Sequence, residues 1–267
     1  MMETSLLPLV TVVTVSYNDC SRLEKTIKNV ISQDYKWLEY IIIDGGSNDG
    51  SVDVLKKYSD RISFFVSEPD ENDFDAMNKG IKKALGEWIV FMNAGDVFYE
   101  NTTVKKVMAG APPEADLVYG DTEVEYRNGF SRISKVKQFN GGLWKGLPFV
   151  HQSLFVKLAL LNQHPFDLNY ERCADFEFCY WAFQNGCGFH QLDEILSRVE
   201  AGGASDRKRV QAANDIRRIL KKYHHSFLID LRFLLTIVNS VIVMTFKKIL
   251  PRELTKRLTI LKYELIN

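Results

Sequence analysis

Cysteine is scarce in this 267-residue chain: Cys20, Cys173, Cys179 and Cys187 are the full set, and no two form a C-x-x-C pair. Five histidines supply no H-E-x-x-H, and no Cys/His cluster has zinc spacing, which argues against a zinc enzyme. Any metal chemistry must then rest on carboxylates. The N-terminus lacks the charged segment and apolar core of a signal peptide, so a reduced, cytoplasmic protein is expected. "GGSNDG" is not G-x-G-x-x-G, and G-x-x-x-x-G-K-[ST] does not occur; a dehydrogenase fingerprint and a phosphate-cradling loop are both missing. The uncharged run "FLLTIVNSVIVMTF", residues 233–246, falls short of the roughly 20 residues that span a bilayer. No internal repeat or low-complexity segment is present.

What remains is an ordinary globular composition, 46% hydrophobic and 12% aromatic, enough for one large domain or one plus an appendage. The net charge of zero conceals an asymmetry. Residues 1–206 hold 20 Lys and Arg against 30 Asp and Glu, a net of −10, and residues 207–267 hold 14 against 4, a net of +10. A basic tail suits nucleic acid or an anionic membrane surface. Its aromatic residues are not interleaved with the basic ones, which disfavours nucleic acid. The run 233–246 followed by Lys247 and Lys248 reads as an interfacial or re-entrant helix with basic anchors; the competing reading is a helix packed on the protein's own core or in an oligomer interface.

Strand and helix alternate along the first hundred residues. "LVTVVTVSY" (9–17) is a β-branched run ending on Tyr17 and Asn18, and residues 21–33 read as a helix with Ser21 as its cap. "LEYIIIDGGSNDGS" (38–51) ends a buried strand on Asp44, and Asp49 or Ser51 starts the next helix. "RISFFVSEPD" (61–70) is a third strand, and Ala76 to Leu85 a third helix. "EWIVFMNAGD" (87–96) runs apolar and stops on Asn93, Ala94, Gly95 and Asp96. Such a pattern means a parallel α/β sheet with helices on its faces. Right-handed crossovers bring Tyr17, Asn18, Asp44 and Asp96 to one rim, where ligands of open α/β sheets sit. For Asp96 alone an Asx-turn is the simpler reading; a rim of such residues is a site. Further on, "ADLVYGDTEVEY" reads as a strand with a turn and "FNGGLWKGLPFVHQSLFV" as a substrate loop. "FDLNYERCADFEFCYWAFQNG" (166–186) holds a helix with Asp175 and Glu177 in its first turn, where acids also suit the helix dipole.

These stretches, "VTVSYN", "IIIDGGSNDGS", "SEPDENDFDAMNKG", "FMNAGD", "HQSLF", "FDLNYERCADFEF" and "GGAS", resemble in order the family-2 glycosyltransferases. They are most similar to bacterial enzymes of colanic acid, O-antigen and capsule assembly, over about residues 9–206. The resemblance implies a GT-A fold, Rossmann-like, with a mostly parallel central sheet and helices on both faces. It gives residues 1–206 as the catalytic domain, with a donor half at about 9–110 and an acceptor half at 111–206, and leaves 207–267 as a helical, basic and apolar tail. Thr14, Ser16, Tyr17, Asn18 and Asp44 would hold the nucleotide of the donor. Asp75, Asn78 and Lys79 would lie alongside it, with Ala94 and Gly95 lining it. Asp96 would bind Mg2+ or Mn2+ bridging the diphosphate, and Asp175 would be the catalytic base.

That set meets the chemistry of sugar transfer: the leaving diphosphate needs charge neutralised, and the acceptor hydroxyl needs a base on the opposite face of the sugar. The expected activity is inverting transfer of a hexosyl unit from a nucleotide sugar, UDP-linked, to a lipid-linked saccharide at the inner face of the cell membrane. The alternative is a non-catalytic sugar-nucleotide-binding scaffold subunit; a homo-oligomer is left open. His151 and Gln152 are expected near the diphosphate or acceptor. Gly203 and Ser205, with Gly202, read equally as an anion-holding turn or a linker. Trp144 could stack on sugar, Trp181 is expected in the core, and Cys173 and Cys179 are expected as buried thiols. Two departures from the family pattern stand out. Gly95 replaces an acidic residue, so the metal would rest on Asp96 alone. Asn72 takes the place of a glycine, and because Asn tolerates positive φ the turn is expected to persist.

Overall fold

The computed structural model describes residues 7–126, 129–136, 146–201 and 209–223, with Leu231, Phe233, Leu235 and Val238. Trp144, Gly202, Gly203, Ser205 and most of the run 233–246 lie outside them. By compactness the chain divides into Met1–Gly203 and Ala204–Asn267.

In the first unit, β1 (Val10–Ser16), β2 (Leu38–Asp44), β3 (Phe64–Ser67) and β4 (Trp88–Phe91) alternate with α1 (Cys20–Ile31), α2 (Ser51–Lys57) and α3 (Asp73–Lys83). β1 pairs in parallel with both β2 and β4, and β2 with β3. β1 is buried at every residue, which is why its sequence runs apolar rather than alternating. After β5 (Val97–Phe98) and α4 (Thr103–Gly110) come β6 (Leu117–Glu125) and β7 (Ser131–Ser134). A 3-10 turn over His151–Ser153 leads into β8 (Leu154–Lys157), then α5 (Leu158–Gln163), α6 (Ala174–Gln184) and β9 (Phe189–Glu200). β8 runs antiparallel to β4 and β6, and β9 parallel to β6. The described strands form a mixed, mostly parallel sheet in the order β3-β2-β1-β4-β8-β6-β9-β5, with β7 on β6.

Helix positions follow their apolar spacing. α1 buries Leu23, Thr26, Ile27 and Val30, one face at i, i+3, i+4 and i+7. Its cap position is Asp19 rather than Ser21, with the Asp19 side chain turned to Arg22. α3 starts at Asp73, three residues ahead of the expected Ala76, because Asn72 Oδ1 accepts from the amides of Phe74 and Asp75. Asn72 is extended, φ −167°, so it serves as a helix cap and not as the positive-φ turn anticipated at that position. β6 is continuous where a turn was expected. Gly120 instead lets β9 approach: a Cβ there would lie 2.6 Å from Glu194 O, and the β6–β9 register slips on either side of Asp121. Cys173 and Cys179 are buried thiols, as expected; Trp181, expected in the core, is half-buried and stacked on His164 at 4.5 Å. In the second unit α7 (Arg209–Tyr223) is helical throughout.

α3 rides unusually close to the sheet. A Cβ on Gly80 would stand 2.5 Å from Val13 Cγ1, and Val13 is fully buried in β1. Gly80→Ala should therefore lower stability by about 1–3 kcal/mol through overpacking, outweighing the helix-propensity gain of about 1 kcal/mol. A urea midpoint at or above that of the parent would contradict this packing.

Candidate active site

Parallel pairing puts the ends of β1, β2 and β3 side by side: Ser16 registers with Asp44, and Asp44 with Ser67. Asp44 is fully buried. Its carboxylate accepts from Ser47 N (2.8 Å), Ser47 Oγ (2.5 Å) and Ser67 Oγ (2.6 Å). The turn after β1 is laced to the turn after β2: Asn18 N donates to Ser47 Oγ and Asn48 N to Asn18 Oδ1, with Asn18 at φ +48°. Tyr17 beside it is 65% exposed. Thr14 lies inside the sheet, its hydroxyl engaged by Tyr40 and Met92 O.

Asn93 to Asp96 form a turn seated against α1. Gly95, at φ +99°, gives its N–H to Thr26 Oγ1 (2.9 Å), and Thr26 Oγ1 donates to Asp96 O (2.8 Å); Ala94 N is held by Val15 O. The Asp96 side chain is not spent on its own backbone. It is 8% exposed and accepts from Gln152 Nε2 at 2.6 Å. Burial pushes its pKa up to about 6, against the opposing effects of His151, Gln152, Arg22 and the Glu200 amide.

Across from Asp96, His151 Nδ1 lies 3.4 Å from Asp175 Oδ2, and Nε2 lies 3.2 Å from Asn93 Nδ2. Burial alone would lower the His151 pKa, but the bond to Asp175 and the charges of Asp175, Asp96 and Asp73 outweigh it and raise the group above its ordinary value. Asp175 sits in the first turn of α6, where its Oδ1 accepts from Phe176 N. Ser153 fixes the His151–Ser153 turn: its Oγ meets Thr122 Oγ1 (2.7 Å), Ser197 Oγ (2.6 Å) and Asp121 O (3.0 Å), tying the turn to β6 and β9.

The structure thus sets Ser16 beside Asp44 at the ends of β1 and β2, and groups Asp96, Gln152, His151 and Asp175 around the turn after β4. It gives other expected residues internal partners. Asn78 clamps the Phe166 backbone at both ends of its amide. Lys79 is held by Asp70, Glu68 and Pro69 O, with Asp75 at 3.6 Å. Arg22 and Glu200 had no individual signal in the sequence, because only tertiary packing brings them to the turn that carries Asp96.

Buried polar atoms without partners gather here: Ser16 Oγ, Asn93 Oδ1 and Gln152 Oε1. Unpaired buried oxygens are costly and suit a hard cation or a polar ligand. Among the described residues no group of three or more His, Cys, Asp and Glu could hold a metal, so a divalent ion at this rim would need oxygens from its ligand as well as Asp96, the habit of Mg2+ with phosphates.

The sequence profile described as Glycosyl transferase family 2 matches residues 11–166. The chain belongs to that family. It is a nucleotide-sugar-dependent glycosyltransferase with a GT-A fold. A "PGL/p-HBAD biosynthesis glycosyltransferase" of Mycobacterium bovis is 27% identical over 207 residues, covering 74% of this chain and 80% of the relative. Among solved structures, the mannosyltransferase PcManGT from Pyrobaculum calidifontis, in complex with GDP-Man and Mn2+, superposes with a TM-score of 0.63 at 17% identity. That match covers 82% of this chain and 65% of the mannosyltransferase, just under two thirds. S. aureus TarS 1-349 in complex with UDP-GlcNAc gives 0.63 at 16% identity, covering 86% of this chain and 71% of that one.

The charge state of Asp96 is measurable through stability. Its raised pKa means that stability present below about pH 4 is lost as pH rises through about 6. In EDTA, Asp96→Asn should be more stable than the parent by about 1–3 kcal/mol at pH 8, with the gap closing towards pH 4.5. An equal gap at both pH values would count against a buried, charged Asp96.

Proposed function

We propose that this chain is an inverting, divalent-cation-dependent glycosyltransferase moving a hexosyl unit from a UDP-sugar to a hydroxyl of a lipid-linked saccharide. The observation that carries it is two carboxylates of different character acting on one imidazole: Asp96, buried at the strand rim, whose charge acts on His151, and Asp175, at a helix start 3.4 Å from His151 Nδ1. Asp96 would hold Mg2+ or Mn2+, with Gln152 fixing the carboxylate's orientation. When bound, the ion supplies Lewis-acid stabilisation of the leaving diphosphate. Asp175 accepts the proton of the acceptor hydroxyl, and His151 holds its carboxylate in place. Displacement in a single step from the face opposite the leaving group inverts the anomeric centre. Asp44 and the exposed Tyr17 form the nucleotide end.

A UDP donor is supported by the TarS complexes with UDP and UDP-GlcNAc, while the PcManGT complex carries GDP-Man. Residues 1–206 act as the catalytic domain, and residues 207–267 as a tail that docks on the inner face of a bacterial membrane during capsule- or O-antigen-type assembly. Support for the tail is its net of +10 and a helical stripe in which Leu231, Leu235 and Val238, spaced i, i+4, i+7, are 45%, 62% and 47% exposed while Phe233 is buried. No helix among the described residues is long and apolar enough to cross a membrane.

Asp175→Asn is the decisive variant. Nucleotide and Mn2+ affinity should hold while transfer falls roughly 10²- to 10⁴-fold, the worth of a positioned base. A purely structural Asp175 would leave transfer unchanged, since Asn suits a helix start about as well. For the tail, Leu235→Glu should weaken co-sedimentation with phosphatidylglycerol-containing vesicles and leave transfer to a water-soluble acceptor intact; unchanged vesicle binding would dismiss the docking role.

A further inference from the structure

A diphosphate needs hydrogen-bond donors, and most side chains at this rim are acceptors. Lys79, the cation that the family pattern points to, has no donor left: its ammonium serves Pro69 O (2.8 Å), Asp70 Oδ1 (2.6 Å) and Glu68 Oε1 (3.1 Å), and an ammonium has three hydrogens. Arg22 is placed differently. It lies in the first turn of α1, over the turn that carries Asp96. Its Nη1 donates to Asp19 Oδ2 at 3.0 Å, which leaves the Nε–Nη2 edge against Gly95. Nε is buried with no hydrogen-bond partner, Glu200 Oε2 standing off at 3.7 Å.

Gly95 makes room for this guanidinium, because a Cβ at that position would collide with Arg22 Nε, Nη2 and Cζ. Thr26, one helical turn further on, bonds both Gly95 N and Asp96 O. α1 and the turn are therefore fixed to each other, and so is the height of Arg22 over the turn. Charge is felt between them as well, since Arg22 favours the ionised form of Asp96. The missing side chain at position 95 and the cation over it are thus one feature.

We propose that Arg22 binds the diphosphate of the donor, presenting its Nε–Nη2 edge to the phosphate oxygens as a two-pronged donor beside the cation held by Asp96. Asp19 holds the guanidinium at Nη1, and Glu200, 3.7 Å from Nε, faces the edge without hydrogen-bonding to it. A single carboxylate-held divalent ion leaves a nucleoside diphosphate net negative, inside a unit that is itself acidic, and a fixed guanidinium offsets that repulsion. The assignment rests on the nucleotide-sugar reading of the site.

Titration calorimetry on the full chain in Mn2+ tests it, with UDP and GDP as probes and uridine and guanosine as phosphate-free controls. Arg22→Gln should weaken nucleoside-diphosphate binding about tenfold or more and leave nucleoside binding unchanged. Arg22→Lys, which keeps the charge beside Asp19 but lacks the planar fork, should recover only part of the affinity, and it serves alone if the Gln variant does not fold. Parent-like diphosphate affinity in the folded variants would overturn the role of Arg22 and leave the proposed function standing. Equal loss for nucleoside and diphosphate would also overturn it, marking Arg22 as a support of the fold. A parent that binds neither UDP nor GDP would overturn both.

Discussion

β1 is fully buried and bonded in parallel register to β2 on one side and β4 on the other, and that pairing sets everything at the site. A strand covered on both faces offers its side chains to the core alone, so polar chemistry can gather only where the strands stop. Register then decides which polar groups meet: Ser16 beside Asp44, Asp44 beside Ser67. Because α3 must lie close to this strand, Gly80 faces Val13 with no side chain between. The rim therefore sits directly on a tightly packed core, the support a preorganised site requires.

Asp96 shows how the second half of the first unit completes what the first half begins. Its backbone belongs to the turn after β4, clamped by Thr26 from α1. The groups that act on its carboxylate come mostly from far along the chain: Gln152 ahead of β8 and the Glu200 amide at the end of β9. β8 runs antiparallel to β4, so the 3-10 turn preceding β8 arrives at the end of β4 where Asp96 sits. The Ser153 hydroxyl network holds that turn, and the turn aims its two preceding residues in different directions, Gln152 to Asp96 and His151 to Asp175. Burial raises Asp96 to about 6, a cost that a ligand cation would remove, in keeping with stability given up at a functional site.

The family 2 membership and the GT-A fold rest on residues that could be read in order along the chain, since apolar runs ending in small or acidic residues are local patterns. Asp44, Asp96 and the pairing of Asp175 with Glu177 in a helix's first turn were legible for that reason. Asn72 was misjudged because the sequence compares residue types, and a cap and a positive-φ turn draw on the same types. The strand with a turn read over "ADLVYGDTEVEY" is one continuous strand, β6, in the structure, because a glycine that admits a neighbouring strand looks like one that makes a turn.

Sequence alone determined the alternation of strand and helix, the parallel sheet, the rim and the carboxylates on it, because periodicity and strand ends are written within a few residues of one another. It also determined the split between an acidic body and a basic tail. Tertiary structure decided which polar side chains are spent and which keep a donor unpaired: Lys79 caged by three carboxylates, Asn78 bound to the Phe166 backbone, Arg22 with its buried Nε unpaired over Gly95, Gln152 committed to Asp96. Hydrogen-bond partners separated by scores of residues are fixed by sheet register and helix docking, and no local pattern encodes which of several equivalent donors the fold will bring within 3 Å of an acceptor.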